Sequence, residues 1–158
     1  MRRRYGRQNE INLGLLLSLY RAVKNVRRRE TQVITASGVT FPQFEVLEAL
    51  YHLGELTVSQ LIDKTLSSIG NVSVVLDRME ADGYIRRRKS REDRRVTIVK
   101  ITARGTKLMD RIFPRHLENV TGFLEGMDQD EKRTLTRLLI KLEKSADCKK
   151  WSSRKEVP

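Results

Sequence analysis

Residues 56–102 read LTVSQLIDKTLSSIGNVSVVLDRMEADGYIRRRKSREDRRVTIVKIT, and this stretch decides the fold. Its start, Thr57-Val-Ser-Gln60, has the spacing of a capping box and predicts a short helix to about Lys64. A cap at Ser67 or Ser68 begins a second helix, which Gly83 ends as a C-cap glycine would. At 100° per residue, this helix places its apolar residues on one side: Ile69, Val72, Leu76 and Met79. Two short helices in succession predict a helix–turn–helix.

Two strand candidates, Tyr84–Lys89 and Val96–Thr102, follow the second helix, and the latter is rich in β-branched residues. Six charge-rich residues join them, so we predict a β-hairpin with an exposed tip. Seven of the ten residues from Arg86 to Arg95 are Lys or Arg. So dense a block of like charge predicts an anion-binding loop rather than an ordinary solvated turn.

The segments outside this stretch are predicted to be helical. Apolar residues at helical spacing indicate a long helix over about 10–35, and the capping box Thr40-Phe-Pro-Gln43 opens a helix to about His52. A long helix is expected from Ala103 to about Met127, and we expect Pro114 to kink or break it. Asp128 to Glu131 opens a last helix with one apolar stripe, made of Leu135, Leu138, Leu139 and Leu142.

The predicted fold class is mainly α with a small β-hairpin. The length of 158 residues suits one domain over residues 1–146, with a tail over 147–158 that we expect to be disordered. The net charge of +12 favours a polyanionic partner, either nucleic acid or an acidic membrane surface. Residues 86–107 carry ten Lys or Arg against two acidic residues, whereas residues 41–85 carry two against seven. The positive charge is therefore concentrated in the hairpin and at the N-terminus.

The outward face of the second helix suits the major groove of DNA, because its side chains are small and polar. Asn71 can hydrogen-bond an adenine edge, Arg78 a guanine or a phosphate, and Val74 can touch a thymine methyl group. Ser67 and Ser68, at a helix N-terminus, suit a phosphate. Each of these residues taken alone is more simply a solvated surface residue; the helix as a unit, beside a basic hairpin, favours DNA.

The arginines of the hairpin suit the minor groove, where the negative potential of DNA is strongest. Asp93 beside Arg94 and Arg95 is unexpected in an anion-binding loop. We interpret it as a carboxylate that holds one arginine in a fixed rotamer and so reduces the entropy lost on binding.

Two segments, SSIGNVSVVLDRMEADGYIRR (67–87) and REDRRVTIVKITARG (91–105), resemble the recognition helix and the wing of the MarR transcriptional regulators. In the second, Asp93, Arg94 and Arg95 occupy the D-R-R positions, and Thr102 and Gly105 open the next helix. The resemblance covers about residues 10–146. A peroxide-sensing branch of the family carries a cysteine in the first helix, whereas the corresponding GLLLSLY here has none.

The resemblance implies an obligate homodimer with a winged helix–turn–helix lobe over about 41–102 and dimerisation helices over about 10–35 and 103–146. Such dimers bind double-stranded DNA at pseudo-palindromic operators, usually as repressors. Many release DNA when a small, often aromatic, molecule binds; no metal or other cofactor is implied. The candidate DNA-binding residues are Ser59, Gln60, Ser67, Ser68, Gly70, Asn71, Ser73, Val74, Arg78, Arg86, Arg91, Asp93, Arg94 and Arg95.

Three other interpretations compete with this one. A sequence-neutral architectural binder would need only the basic hairpin, so it is the main alternative. An enzyme is not expected, because His52 and His116 lie on different helices without ligand spacing. Each histidine has a plainer role, His52 as a cap of its helix and His116 as a satisfied, partly buried side chain. RNA binding is disfavoured because the hairpin lacks aromatic residues for stacking.

The remaining features bound the cellular context. Cys148 is the only cysteine, so the chain forms no internal disulfide. Lys149 and Lys150 beside it favour the thiolate, but a lone cysteine in a tail more simply has no redox role. The basic, then apolar, N-terminus lacks a signal-peptide cleavage site and runs into Arg27-Arg28-Arg29. No apolar run is long enough to cross a bilayer. We therefore expect a cytoplasmic protein without membrane association.

Overall fold

The structure, a computed structural model, describes residues 5–65 and 72–145. It is mostly helical with one small antiparallel sheet, as the sequence predicts. The expected caps Ser67 and Ser68 and the tail over 147–158 lie outside the described residues. The elements are α1 (Arg7–Thr35), α2 (Phe41–Leu53), β1 (Leu56–Thr57), α3 (Val58–Lys64), α4 (Val72–Ala81), β2 (Ile85–Lys89), β3 (Thr97–Ile101), α5 (Ala103–Leu124) and α6 (Gln129–Ser145).

Side-chain caps fix the starts of two helices at the predicted residues. The Gln43 side chain accepts a hydrogen bond from the Thr40 backbone N–H at 2.8 Å, and the Thr40 hydroxyl accepts one from the Gln43 N–H at 3.4 Å. Thr57 and Gln60 form the same reciprocal pair before α3, at 2.8 and 3.2 Å. Each box satisfies backbone donors that would otherwise lack partners, which is worth about 1 kcal/mol per cap.

The predicted hairpin is present, and a third strand completes the sheet. β2 and β3 pair antiparallel from Ile85 opposite Ile101 to Lys89 opposite Thr97. The two-residue strand β1 pairs with the other edge of β3, with Leu56 opposite Val99, so the order is β1-β3-β2. The sequence does not predict β1, because two residues between a turn and a capping box carry no strand pattern. The sheet ties the start of α3 to the hairpin.

The chain forms two compact units that divide between Val120 and Thr121. The hydrophobic core of the first unit surrounds α2, which buries residues on nearly every side. The predicted inner face of α4 is confirmed for Val72, Leu76 and Met79, whereas Ile69 lies outside the described residues. Fully buried side chains come from every element of this unit except the short β1: Ile34, Phe44, Leu47, Leu50, Leu61, Leu76, Met79, Ile85, Val99, Met109 and Ile112.

Helix α5 runs without interruption through Pro114, so the expected break there does not occur. Proline removes one backbone donor, but side chains on both sides of it pack on α2. Ile112 is buried, the Phe113 ring lies 4.7 Å from His52, and the His116 ring lies 4.9 Å from Phe44. This packing offsets the lost hydrogen bond, because tertiary contacts supply most of the stability of a helix in a protein.

The second unit contains α6, whose start is capped by Asp128. The Asp128 carboxylate accepts hydrogen bonds at 2.8 Å from the backbone N–H groups of Asp130 and Glu131. No residue of α6 is buried, and the predicted apolar stripe is exposed on this helix. No described helix combines the length and the apolar character needed to cross a membrane.

A tight junction joins the end of α4, the sheet and the start of α5. Gly83, with φ of +74°, ends α4, and the Tyr84 N–H donates back to the Met79 carbonyl at 2.9 Å. The Thr102 hydroxyl lies 2.7 Å from the Gly83 carbonyl oxygen and accepts from the Gly105 N–H at 3.1 Å. A Cβ on Gly105 would overlap the Tyr84 carbonyl oxygen and lie 2.8 Å from the Ile101 side chain. Glycine is therefore required at position 105 for this approach.

We predict that Gly105→Ala lowers the free energy of unfolding by about 1–3 kcal/mol, because the added methyl group must displace backbone atoms. Urea unfolding at fixed protein concentration measures the change. Gly126→Ala is the matched control, since nothing lies within 4 Å of a Cβ there. Equal stability of the two variants would show that the junction relaxes without cost.

Candidate nucleic-acid interface

The outward face of α4 is available to a partner. Ser73, Val74 and Arg78 are exposed, and Val74, an apolar residue, keeps 64% of its surface open to solvent. The helix closes with the motif at Gly83, so its orientation is fixed at the end next to the hairpin. Four other candidates lie outside the described residues: Ser67, Ser68, Gly70 and Asn71.

Helix α3 contributes Ser59 and Gln60 in its first turn, and both are exposed. The Gln60 carbonyl oxygen is occupied by the capping box, which leaves its amide N–H groups for an external partner. Ser59, Ser73 and Arg95 line one recess of about 300 Å³ together with Arg87 and Thr97 of the hairpin. The structure therefore brings together candidates from α3, α4 and the hairpin, which are far apart in sequence.

The hairpin tip is held in shape by Asp93. Its carboxylate accepts hydrogen bonds from the Arg95 backbone N–H at 2.9 Å and from the Arg95 guanidinium at 3.1 to 3.3 Å. These bonds hold the pKa of the Asp93 carboxyl below its usual range. The arginine that Asp93 fixes is thus Arg95, whose side chain remains 92% exposed. It is oriented without being withdrawn from solvent.

The basic block divides into paired and unpaired charges. Arg87 forms ion pairs with Asp77 and Glu80 on α4, and Arg88 forms one with Glu55 at 2.8 Å. Glu55 also holds Lys100 at 3.0 Å. Within the described ranges, Arg86, Arg91 and Arg94 form no ion pair with an acidic side chain. The sequence analysis predicts no difference among these basic residues. The acidic excess in residues 41–85 is the feature that could have predicted which of them are paired, because all three carboxylates come from that segment.

Arg86 lies apart from the other hairpin candidates. It lines a second recess with Lys100 and Arg104, near the start of α5, whereas Arg95 lines the recess that contains Ser59 and Ser73. Successive residues of a strand point to opposite faces, so Arg86 and Arg87 diverge. Arg86 thus belongs to the base of the hairpin rather than to its tip.

A separate polar cluster is buried between α1, α2 and α5. His116 is 8% exposed, its Nδ1 has no hydrogen-bond partner among the described residues, and burial lowers its pKa. Its Nε2 lies 3.7 Å from Glu48, too far for a hydrogen bond, so the neutral imidazole is not satisfied as expected. The Asn119 Oδ1 accepts from Arg29 at 2.9 Å, but its Nδ2 likewise has no partner in the described chain.

The other histidine also differs from expectation. His52 forms no hydrogen bond to the carbonyl groups of its helix in the described structure. Its ring instead contacts Phe113 and Tyr51, with centroids 4.7 and 5.2 Å away. Among the described residues, no three His, Cys, Asp or Glu side chains are grouped closely enough to hold a metal ion.

We predict that His116 makes the protein less stable as the pH falls. Its pKa in the native state is below the value of about 6.5 in an unfolded chain, so the unfolded state takes up a proton first. The free energy of unfolding should therefore decrease as the pH is lowered through about 6.5, and His116→Phe should remove that part of the decrease.

Urea titrations of wild type and variant between pH 5 and 8 measure this difference. Burial raises the pKa values of Glu30 and Glu48, which act with the opposite sign, but both proteins retain them. If His116→Phe follows wild type, the His116 imidazole does not titrate on unfolding as we infer.

Comparison with known proteins identifies the family. A model of the MarR family matches residues 37–96. The HTH-type transcriptional regulator MhqR of Bacillus subtilis (strain 168) is 32% identical over 130 residues, which cover 82% of this chain and 90% of that protein.

Solved structures share the fold. A mutant MarR from E. coli in complex with operator DNA aligns with a TM-score of 0.72 at 24% identity, over 87% of this chain and 98% of that one. NadR in complex with 4-hydroxyphenylacetate aligns with a TM-score of 0.69 at 22% identity, over 90% and 96% of the two chains. With the curated relative, the family model and the winged-helix architecture in agreement, this chain belongs to the MarR family of DNA-binding transcriptional regulators.

Proposed function

We propose that the protein is a cytoplasmic homodimeric repressor that binds a pseudo-palindromic double-stranded operator and releases it when a small molecule binds. It acts by binding rather than by catalysis. The observation that carries the proposal is the pairing of two DNA-reading devices in one unit. An exposed recognition helix, α4, stands beside a hairpin whose Arg95 is held outward by Asp93.

Each device suits one groove. Helix α4 presents Val74 and Arg78 to the major groove, where a thymine methyl group and a guanine edge are their natural partners. The hairpin presents Arg94 and Arg95 to the adjacent minor groove, and Arg91 to a phosphate. The E. coli MarR mutant of the same fold is complexed with operator DNA, which supports operator binding by this chain.

Apolar faces on two helices support the homodimer. In α1 only Ile34 is buried, and seven large apolar residues between Ile11 and Val23 are exposed or half-exposed. In α6 no residue is buried, and five of its apolar residues are exposed. Burying apolar surface gains about 25 cal/mol per Å², so such faces favour association with a second copy. A two-fold dimer presents two copies of α4 to DNA, which suits a pseudo-palindrome.

The buried polar cluster supports an effector site. His116 Nδ1 and Asn119 Nδ2 are one helical turn apart on α5, and each lacks a partner in the described chain. An unsatisfied buried polar atom costs about 1–3 kcal/mol, which a ligand that hydrogen-bonds it recovers. The Phe44 and Phe113 rings lie 4.9 and 5.8 Å from the His116 ring, so an aromatic ligand has apolar neighbours. NadR, with its bound 4-hydroxyphenylacetate, supports this ligand class.

We expect fluorescence anisotropy to show binding to DNA upstream of the protein's own gene that is roughly a thousandfold tighter than to a scrambled duplex. Two chains should bind per operator. Arg78→Ala should cost about 1–3 kcal/mol on the operator and little on scrambled DNA, because a base contact is lost. Arg94→Ala should weaken both complexes and reduce the salt slope by about one, because one positive charge in the strongly negative minor groove is lost.

Arg115→Ala removes an exposed charge on α5 and serves as the control, with binding expected near that of wild type. If the affinities for the two duplexes are equal and both are lost at high salt concentration, a sequence-neutral architectural binder is supported instead. In that case Arg78→Ala would have no selective effect. Selection from random DNA decides whether an operator lies elsewhere.

We expect 4-hydroxyphenylacetate or a related hydroxylated aromatic acid to release the operator in the same assay. 4-Methylphenol and phenylacetate separate the contributions of the hydroxyl and the carboxylate groups. Asn119→Leu should weaken the response, because the side chain can no longer donate to the ligand. The operator affinity of this variant is measured separately without ligand. If no aromatic acid or phenol releases the DNA, the effector proposal fails while operator binding stands.

A further inference from the structure

We infer that Arg87 is a positioning residue that clamps the recognition helix α4 to strand β2, so that helix and hairpin meet DNA as one rigid body. The inference rests on the proposed sequence-specific binding of DNA. It assigns Arg87 a role different from that of its neighbours in the basic block, since it acts through α4 and makes no contact with DNA itself.

All three guanidinium nitrogens of Arg87 contact carboxylates of α4. Its Nη1 lies 2.7 Å from Asp77 Oδ1, its Nη2 lies 2.7 Å from Glu80 Oε2, and its Nε donates to Glu80 Oε2 at 2.8 Å. The Arg87 backbone N–H donates to the other oxygen of Glu80 at 2.7 Å. One guanidinium thus joins two carboxylates that are one turn apart on α4. The planar fork of arginine is suited to such bidentate pairing.

The local charge argues against a phosphate contact by Arg87. One positive group faces two carboxylates, so the cluster is negative as a whole and would not attract DNA. The arginine hydrogen bonds also hold the pKa of the Glu80 carboxyl below its usual range, so Glu80 stays charged near neutral pH. The Arg87 side chain is only 28% exposed, whereas that of Arg95 is 92% exposed. Arg95 is presented to solvent; Arg87 is turned towards α4.

The clamp adds a second connection between α4 and the hairpin. The turn at Gly83 fixes the end of α4, and Leu76 and Met79 pack its inner side in the core. Among the described residues, only Arg87 forms ion pairs from the hairpin to the outward side of α4. Arg87 lies two residues into β2 and reaches back to Glu80 and Asp77, so it ties the elements together away from the turn. α4 and the hairpin must enter adjacent grooves together, and holding them at one angle reduces the entropy lost on binding.

Removing a carboxylate of α4 separates this role from simple electrostatics, because the two explanations predict opposite changes in operator affinity. Glu80→Gln and Asp77→Asn each make the protein more positive, so charge alone predicts tighter binding to any DNA. If the clamp positions the helix, each substitution weakens operator binding by roughly three- to tenfold and leaves scrambled-DNA affinity equal or higher. The ratio of the two affinities therefore falls.

Glu92→Gln is the matched control. It removes one negative charge from the hairpin tip, and the Glu92 carboxylate forms no ion pair with any described residue. We expect it to tighten binding to both duplexes to a similar extent and to leave their ratio unchanged. Arg87→Lys tests the geometry, since lysine keeps the charge but lacks the planar fork. It should lower the ratio without changing the salt slope.

Affinities are measured well below the unfolding temperature of each variant, with the active fraction determined by titration at high concentration. Loss of folded protein alone lowers both affinities together and does not move their ratio. Unchanged or raised ratios for Glu80→Gln, Asp77→Asn and Arg87→Lys would overturn the inference. If wild type itself does not distinguish operator from scrambled DNA, the proposed function fails instead, so the two failures are distinguishable.

Discussion

The first turn of α5 packs directly against the carbonyl group of Tyr84, and the DNA-reading half of the molecule depends on that approach. Gly105 leaves the space for it. The Thr102 hydroxyl lies within hydrogen-bonding distance of the Gly83 and Tyr84 carbonyl oxygens and accepts from the Gly105 N–H. The end of α4, the first residue pair of the hairpin and the start of α5 consequently meet at one place. A change in the direction of α5 therefore bears directly on the recognition helix and the hairpin.

The helix starts and the hairpin are predictable because their causes are local. At the start of a helix, a threonine and the glutamine three residues later satisfy each other's backbone donors, so Thr40 and Thr57 mark their helices without knowledge of the fold. The features that the sequence does not predict are set by distant partners. β1 is a strand only because β3 lies beside it, and α5 continues through Pro114 because the flanking residues pack on α2.

In the candidate interface too, local features can be predicted from the sequence and features set by distant residues cannot. That the hairpin is basic and that Asp93 holds an arginine follow from neighbours in the sequence. Which arginines remain unpaired does not, because Glu55, Asp77 and Glu80 come from other elements and reach the hairpin only in the folded chain. The burial of His116 and the missing partner of its Nδ1 likewise depend on how α5 packs against α2.

The ion pairs of Glu55 with Arg88 and Lys100 affect the salt dependence of DNA binding. Because the Glu55 carboxylate lies between Arg88 and Lys100, two cations of the hairpin already carry a counterion that is part of the protein. This counterion cannot diffuse away when DNA approaches, so it yields none of the mixing entropy that released small ions provide. Counting basic residues in the hairpin therefore overestimates its thermodynamic valence, and the salt dependence of binding measures only the charges that the fold leaves uncompensated.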